Sequence, residues 1–111
     1  MPYGLKDNEI EALQNLFRSN KNVEQAVLYG SRAKGNYKPF SDIDITLIGD
    51  ELTRVDLMSL CRAIDDLLMP YELDMNLYKD IHNLALLEHI GRVGIPLYKK
   101  GDTPSPFTTN Q

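Results

Sequence analysis

Seven residues in the middle of the chain, Asp42 to Ile48, alternate strictly, with Asp42, Asp44 and Thr46 on one side and Ile43, Ile45 and Leu47 on the other. A period of two marks a strand with one buried face. This is the clearest strand in the sequence, and it sets a problem. Aspartate is disfavoured in strands, and two of them two positions apart place like charges ~6.5 Å apart along the backbone at ~3.3 Å per residue. Either this face is simply wet, as one side of an antiparallel sheet often is, or something compensates for the clustered charge. The alternation alone does not choose between the two.

The rest of the chain supplies the neighbours for that strand. Asp7 to Ser19 carries Ile10, Leu13, Leu16 and Phe17 at helical spacing, and Asn8 with Glu11 predicts a capping box at its start. Glu24 to Tyr29 is a short β-favourable run that stops at Gly30-Ser31, with a helical turn predicted from Ser31 to about Asn36. The stretch holding Gly35, Asn36, Pro39 and Ser41 has no apolar period and reads as a loop. After Gly49-Asp50-Glu51, Thr53 and Asp56 can cap a helix presenting Leu57, Leu60, Cys61, Ile64, Leu67 and Leu68, ended by Pro70. Glu72 to Leu77 alternates again, which predicts a third strand with Glu72, Asp74 and Asn76 opposed to Leu73, Met75 and Leu77. A helix is expected over Asp80 to Val93 through Leu84, Leu87 and Ile90, with Gly94 at its end and a small final strand at Ile95 to Tyr98. This order describes an α+β fold, a small mixed sheet covered by helices. The expected organisation is one domain over residues 1–100 and a mobile tail over 101–111, where prolines, threonines and serine replace apolar residues.

Composition narrows the classes of function. With 111 residues the chain has room for one core of ordinary size. A net charge of -4 argues against an extended basic surface for nucleic acid, so any phosphate chemistry is expected to be local. No apolar run approaches the ~20 residues that cross a bilayer, and no basic segment followed by a hydrophobic one opens the chain, so a cytoplasmic location without membrane contact is expected. The lone Cys61 cannot form an internal disulfide and, set among apolar residues, reads as a packed thiol.

Asp74 changes the weight of the aspartate pair. It lies opposite an apolar face as Asp42 and Asp44 do, so if the two strands are neighbours all three carboxylates can converge. Three close carboxylates repel and raise one another's pKa values, and a hard divalent cation such as Mg2+ resolves that conflict because it takes oxygen ligands from carboxylates and phosphates together. Glu72 and Asn76 read as solvated or supporting positions on the same face. Gly30-Ser31 offers a place for phosphates: a glycine ending a strand lets backbone approach a ligand, and the N–H groups opening the next turn, with the Ser31 hydroxyl, can donate to phosphate oxygens. Arg32 reads equally as a triphosphate contact and as a solvated loop charge, while Lys34 and Lys38 read as solvated. His82 and His89 read as surface or partly buried structural residues, and Tyr29 and Tyr37 as core or loop residues.

Taken together, Gly30-Ser31, ten intervening residues and Asp42-Ile43-Asp44-Ile45 resemble the G-S-x10-D-x-D signature of the polymerase-β-like nucleotidyltransferase superfamily. Tyr29 to Gly35 and Ser41 to Ile45 look most like its minimal, MNT-type branch, and the resemblance runs from about Val27 to Tyr98, including Tyr71-Glu72-Leu73-Asp74 and the closing segment Leu87 to Gly94. It implies Asp42, Asp44 and Asp74 as metal-binding and catalytic carboxylates, with Asp74 helping the attacking hydroxyl lose its proton, and Gly30 and Ser31 as the groups that hold the phosphates, beside which Arg32 is the candidate nucleotide contact by its place next to the turn. It also implies Mg2+ as cofactor and a nucleoside triphosphate, ATP by the family's habit, as donor. Stand-alone domains of this size resemble the antitoxin half of a pair in which a small all-helical HEPN-type protein is the toxin and receives AMP on a tyrosine. Two further functions fit the same sequence. One is a non-catalytic subunit that neutralises its partner and merely holds nucleotide, and the other is a small-molecule nucleotidyltransferase, acting on an aminoglycoside-like acceptor, whose site a second subunit completes. Apolar positions on the last two helices leave a homo- or hetero-oligomer open.

Overall fold

The computed structural model describes residues 2–101. In chain order the elements are α1 (Asp7–Arg18), β1 (Gln25–Tyr29), α2 (Gly30–Lys34), β2 (Ile43–Ile48), α3 (Arg54–Asp65), β3 (Leu73–Leu77), α4 (Leu84–Val93) and β4 (Ile95–Lys99), with 3-10 turns at Pro2–Gly4 and Tyr78–Asp80. The four strands form one mixed sheet in the order β3-β2-β1-β4. β1 runs antiparallel to both β2 and β4, whereas β2 and β3 are parallel. A parallel pair needs a crossover, and α3 is that crossover.

Each face of the sheet has its own cover. On one, Leu13 and Phe17 of α1 and Leu60 and Ile64 of α3 close over Ala26, Leu28, Ile43, Ile45, Leu47 and Leu77, which are the inward positions of the alternating strands. On the other, Ile90 of α4 packs with Val27 and Tyr29, flanked by Ile48, Leu86 and Val93. The second cover lies over β1 and leaves the carboxylate-bearing ends of β2 and β3 open, since Asp42 and Asp74 are exposed and Asp44 is half-buried. A tight join sends α4 straight into β4: a β-carbon at Gly94 would collide with the Ile90 carbonyl and with Val27.

Several boundaries differ from those the sequence predicts. At the start of α1 the cap is Lys6, whose N–H donates to Glu9 Oε1 at 2.8 Å, and not the pair Asn8 and Glu11. Asp42 lies just before β2, which begins at Ile43. The α3 cap is as expected, with Asp56 N–H donating to Thr53 Oγ1 (3.2 Å) and Thr53 N–H to Asp56 Oδ2 (3.0 Å). That helix stops at Asp65, however, so Leu67 and Leu68 are not on its inner face: Leu68 takes φ 54° and is 87% exposed as the chain turns toward Pro70 and β3. α4 starts at Leu84 and not Asp80, because Asn83 Oδ1 accepts the Leu86 N–H (3.1 Å) and caps it there. Its inward stripe is Leu86, Ile90 and Val93, with Leu84 80% exposed. The expected tail over 101–111 lies outside the described residues except for Gly101.

Candidate active site

Register brings the acidic residues together. β2 and β3 pair in parallel with Asp44 directly opposite Asp74, and β1 pairs with β2 so that Tyr29 is directly opposite Asp44. Directly paired residues point to the same face of a sheet, so Tyr29, Asp44 and Asp74 form a transverse row on the face opposite α1 and α3. Asp42, two residues before Asp44, adds its charge at the end of the strand. The Asp44 carboxyl is held above the usual carboxylate range, chiefly by burial and then by the negative charges of Asp74 and Asp42, with His89 acting weakly the other way. Repulsion between carboxylates from two strands is therefore built into this face.

The carboxylates stop short of a closed cage. Among the described residues, no three His, Cys, Asp or Glu side chains form a group that would hold a metal ion by themselves. Asp44 and Asp74 pair across the ladder, and Asp42 lies just outside the strand with its charge still acting on Asp44. The donor chemistry suits a hard divalent cation that takes part of its shell from phosphate: the groups are all oxygens, and burial and neighbouring negative charge raise the pKa of one of them, Asp44, which a cation there would offset.

The turn after β1 approaches this row closely. Gly30 has φ 76°, in the left-handed region, and a β-carbon there would run into the Asp44 carboxylate, so only glycine lets the backbone pass. Ser31 follows, half-buried, in the first turn of α2. The Gly30 N–H is not free for a ligand, because it donates to His89 Nε2 at 3.0 Å. Below the row, Asn76 Nδ2 donates to the Tyr29 hydroxyl at 2.8 Å, and the Tyr29 ring meets His89 edge-on at 6.1 Å. The Tyr29 hydroxyl is held above its usual pKa mainly by burial, which the Asn76 bond opposes and the charges of Asp44 and Asp74 reinforce.

Arg32 has a different task from the one its position suggested. Its side chain is buried, 1% exposed, and its guanidinium donates to the carbonyls of Tyr3 (2.8 Å), Ser41 (2.8 and 3.1 Å) and Pro39 (3.4 Å). The rings of Tyr37 and Tyr71 lie 5.3 and 4.7 Å from it, so the cation sits between two aromatic faces. The expected contact with triphosphate is corrected accordingly: Arg32 ties α2 to the loop that ends at Ser41 and delivers Asp42. Lys34 and Lys38 are exposed, as their solvated reading requires.

The sequence matches the family described as Polymerase beta, Nucleotidyltransferase over residues 11–103, most of the chain. The chain belongs to that family. No curated protein matches it. Solved structures of the same fold include a toxin–antitoxin structure with AMP-PNP, 20% identical with a TM-score of 0.64 over 87% of this chain and 76% of that one. Another is the tri-AMPylated HEPN toxin of Shewanella oneidensis in complex with its MNT antitoxin, 18% identical with a TM-score of 0.56 over 83% and 68%. A nucleotidyltransferase-like structure from Sulfolobus solfataricus is 20% identical, with a TM-score of 0.52 over 83% and 78%. At these identities the likeness is one of fold. In the nucleotidyltransferase family member described here, no helix among the described residues is long and apolar enough to cross a membrane.

Proposed function

We propose that this nucleotidyltransferase moves AMP from ATP to a hydroxyl of a HEPN-type toxin, a tyrosine by the family resemblance, and so acts as its antitoxin in the cytoplasm. The observation that carries the reading is the pairing of Asp44 with Asp74 across parallel strands, directly beside a glycine turn that only a bare backbone can occupy. Asp42 and Asp44, with Asp74 completing the set, are the side chains that would hold Mg2+. When bound, that cation neutralises triphosphate charge at a face that would otherwise repel it. The chain's own residues do the rest: Ser31 donates to phosphate oxygens, the Gly30 backbone sets the distance to Asp44, and Asp74 accepts the proton of the attacking hydroxyl. In-line attack on the α-phosphorus then forms the new P–O bond as the bond to pyrophosphate breaks. The partner assignment rests on the toxin–antitoxin structures that share the fold.

The test is direct. Purified protein is incubated with a HEPN-type toxin, Mg2+ and ATP labelled at the α-phosphate. Label should move to the toxin, with none moved by Asp42→Asn or in the presence of chelator. Tight toxin binding with no label transfer, unaffected by Asp42→Asn, would replace the enzyme by a neutralising subunit, and transfer to an aminoglycoside but not to protein would replace the acceptor.

A further inference from the structure

The Gly30 N–H is a group that neither neighbouring element can satisfy. The β1–β2 ladder ends at the Tyr29–Asp44 pair, so the sheet offers it no partner. It opens α2, and the first N–H groups of a helix have no intrahelical acceptor. α2 is five residues long, too short to hold its own geometry, and its first residue has the left-handed φ of 76°. A turn with this little local support needs an anchor from elsewhere in the fold.

We infer that His89 is that anchor, a positioning residue for the phosphate turn: its Nε2 accepts the Gly30 N–H and its own proton sits on Nδ1. His89 reaches the turn from α4, 59 positions away in sequence, and the bond is 3.0 Å long. Its half-buried ring stands at 80° to the Tyr29 ring, and the adjacent Ile90 is buried against Val27 and Tyr29. α4 therefore fixes the imidazole, and the imidazole fixes the glycine whose backbone passes the Asp44 carboxylate. The bond itself is independent of the proposed reaction, whereas its effect on nucleotide rests on that reading.

Two substitutions of unequal reach separate positioning from bulk. His89→Gln puts a carbonyl oxygen near the place of Nε2, and His89→Asn, one carbon shorter, does not reach. Hydrogen exchange of the Gly30 amide, followed by NMR in the nucleotide-free protein, should be slow in the wild type and in His89→Gln, and at least 5-fold faster in His89→Asn and His89→Ala. The KM for ATP should rise roughly 5- to 10-fold in His89→Asn and His89→Ala with kcat changed less than about 3-fold, and His89→Gln should stay within about 3-fold of wild type in both, as expected for loss and recovery of one hydrogen bond. The imidazole nitrogens should report the Nδ1-protonated tautomer. Unchanged Gly30 exchange in His89→Ala, or a His89→Gln variant that keeps its fold and fails as fully as His89→Ala, overturns the inference. A wild-type protein that binds no ATP defeats the proposed function instead, and the amide exchange still decides whether His89 holds the turn.

Discussion

Removing the negative charge of Asp44 should make the metal-free protein more stable while abolishing transfer. Directly paired residues on adjacent strands set two carboxylates roughly 6 Å apart, and two unit charges at that distance repel by about 3 kcal/mol at an effective dielectric of about 20. Asp74 is exposed, so water and salt screen most of this and leave about 1 kcal/mol for Asp44→Asn to recover. For a domain of this size that is an increase in Tm of about 4–8 °C. The sign follows from the raised carboxyl of Asp44. A carboxyl that is harder to ionise when folded lowers stability, fully above its folded pKa and not at all below the ordinary carboxylate range. The advantage of Asp44→Asn should therefore be complete at neutral pH and fade as the pH falls through that window. Thermal unfolding in chelator, repeated with magnesium at constant ionic strength, checks it. Magnesium should raise the Tm of the wild type and barely that of Asp44→Asn. A variant less stable than wild type in chelator, or an equal response of both to magnesium, would refute the idea that this face is an electrostatically strained cation site.

Other perturbations probe the frame around the site. Gly30→Ala forces a β-carbon into the Asp44 carboxylate at φ 76° and should destabilise the fold by more than ~1 kcal/mol in urea unfolding, with transfer lost even where the protein remains folded. Arg32→Ala leaves the Tyr3, Pro39 and Ser41 carbonyls without their donor and empties the buried slot between Tyr37 and Tyr71, so a loss of about 2–4 kcal/mol is expected by the same method. Arg32→Lys should fall short of full rescue because a single ammonium cannot reproduce the planar fork. Thr53→Ala removes the α3 cap far from the carboxylates and should lower stability by about 1 kcal/mol with transfer rate unchanged at temperatures where the protein is folded.

What could be read from the chain alone was whatever local periodicity and local capping encode. The alternation at 42–48 and 72–77 gives both strands and the face their aspartates share, and Thr53 with Asp56 gives the start of α3. Three features were hidden for identifiable reasons. Leu84, Leu86 and Leu87 are all apolar, so the α4 stripe had two plausible phases, and only packing on Val27 and Tyr29 selects Leu86, Ile90 and Val93. Arg32 looks like a phosphate ligand beside a glycine turn, but its partners Tyr3 and Tyr71 lie 29 and 39 positions away, and no sequence pattern joins them. His89 likewise meets Gly30 only through the tertiary fold. The motif marks the aspartate face and its glycine turn, and the long-range contacts decide which neighbours hold them in place.

The central claim is that a metal–nucleotide complex sits between the Asp44–Asp74 pair and the Gly30-Ser31 turn. Paramagnetic broadening of backbone amide signals by Mn2+ with a non-hydrolysable ATP analogue locates that complex without depending on turnover or on a partner. Signals of Ser31, Asp42, Asp44 and Asp74 should vanish first, and the effect should disappear in Asp44→Asn. Broadening centred on another surface, or undiminished by that substitution, would contradict the account.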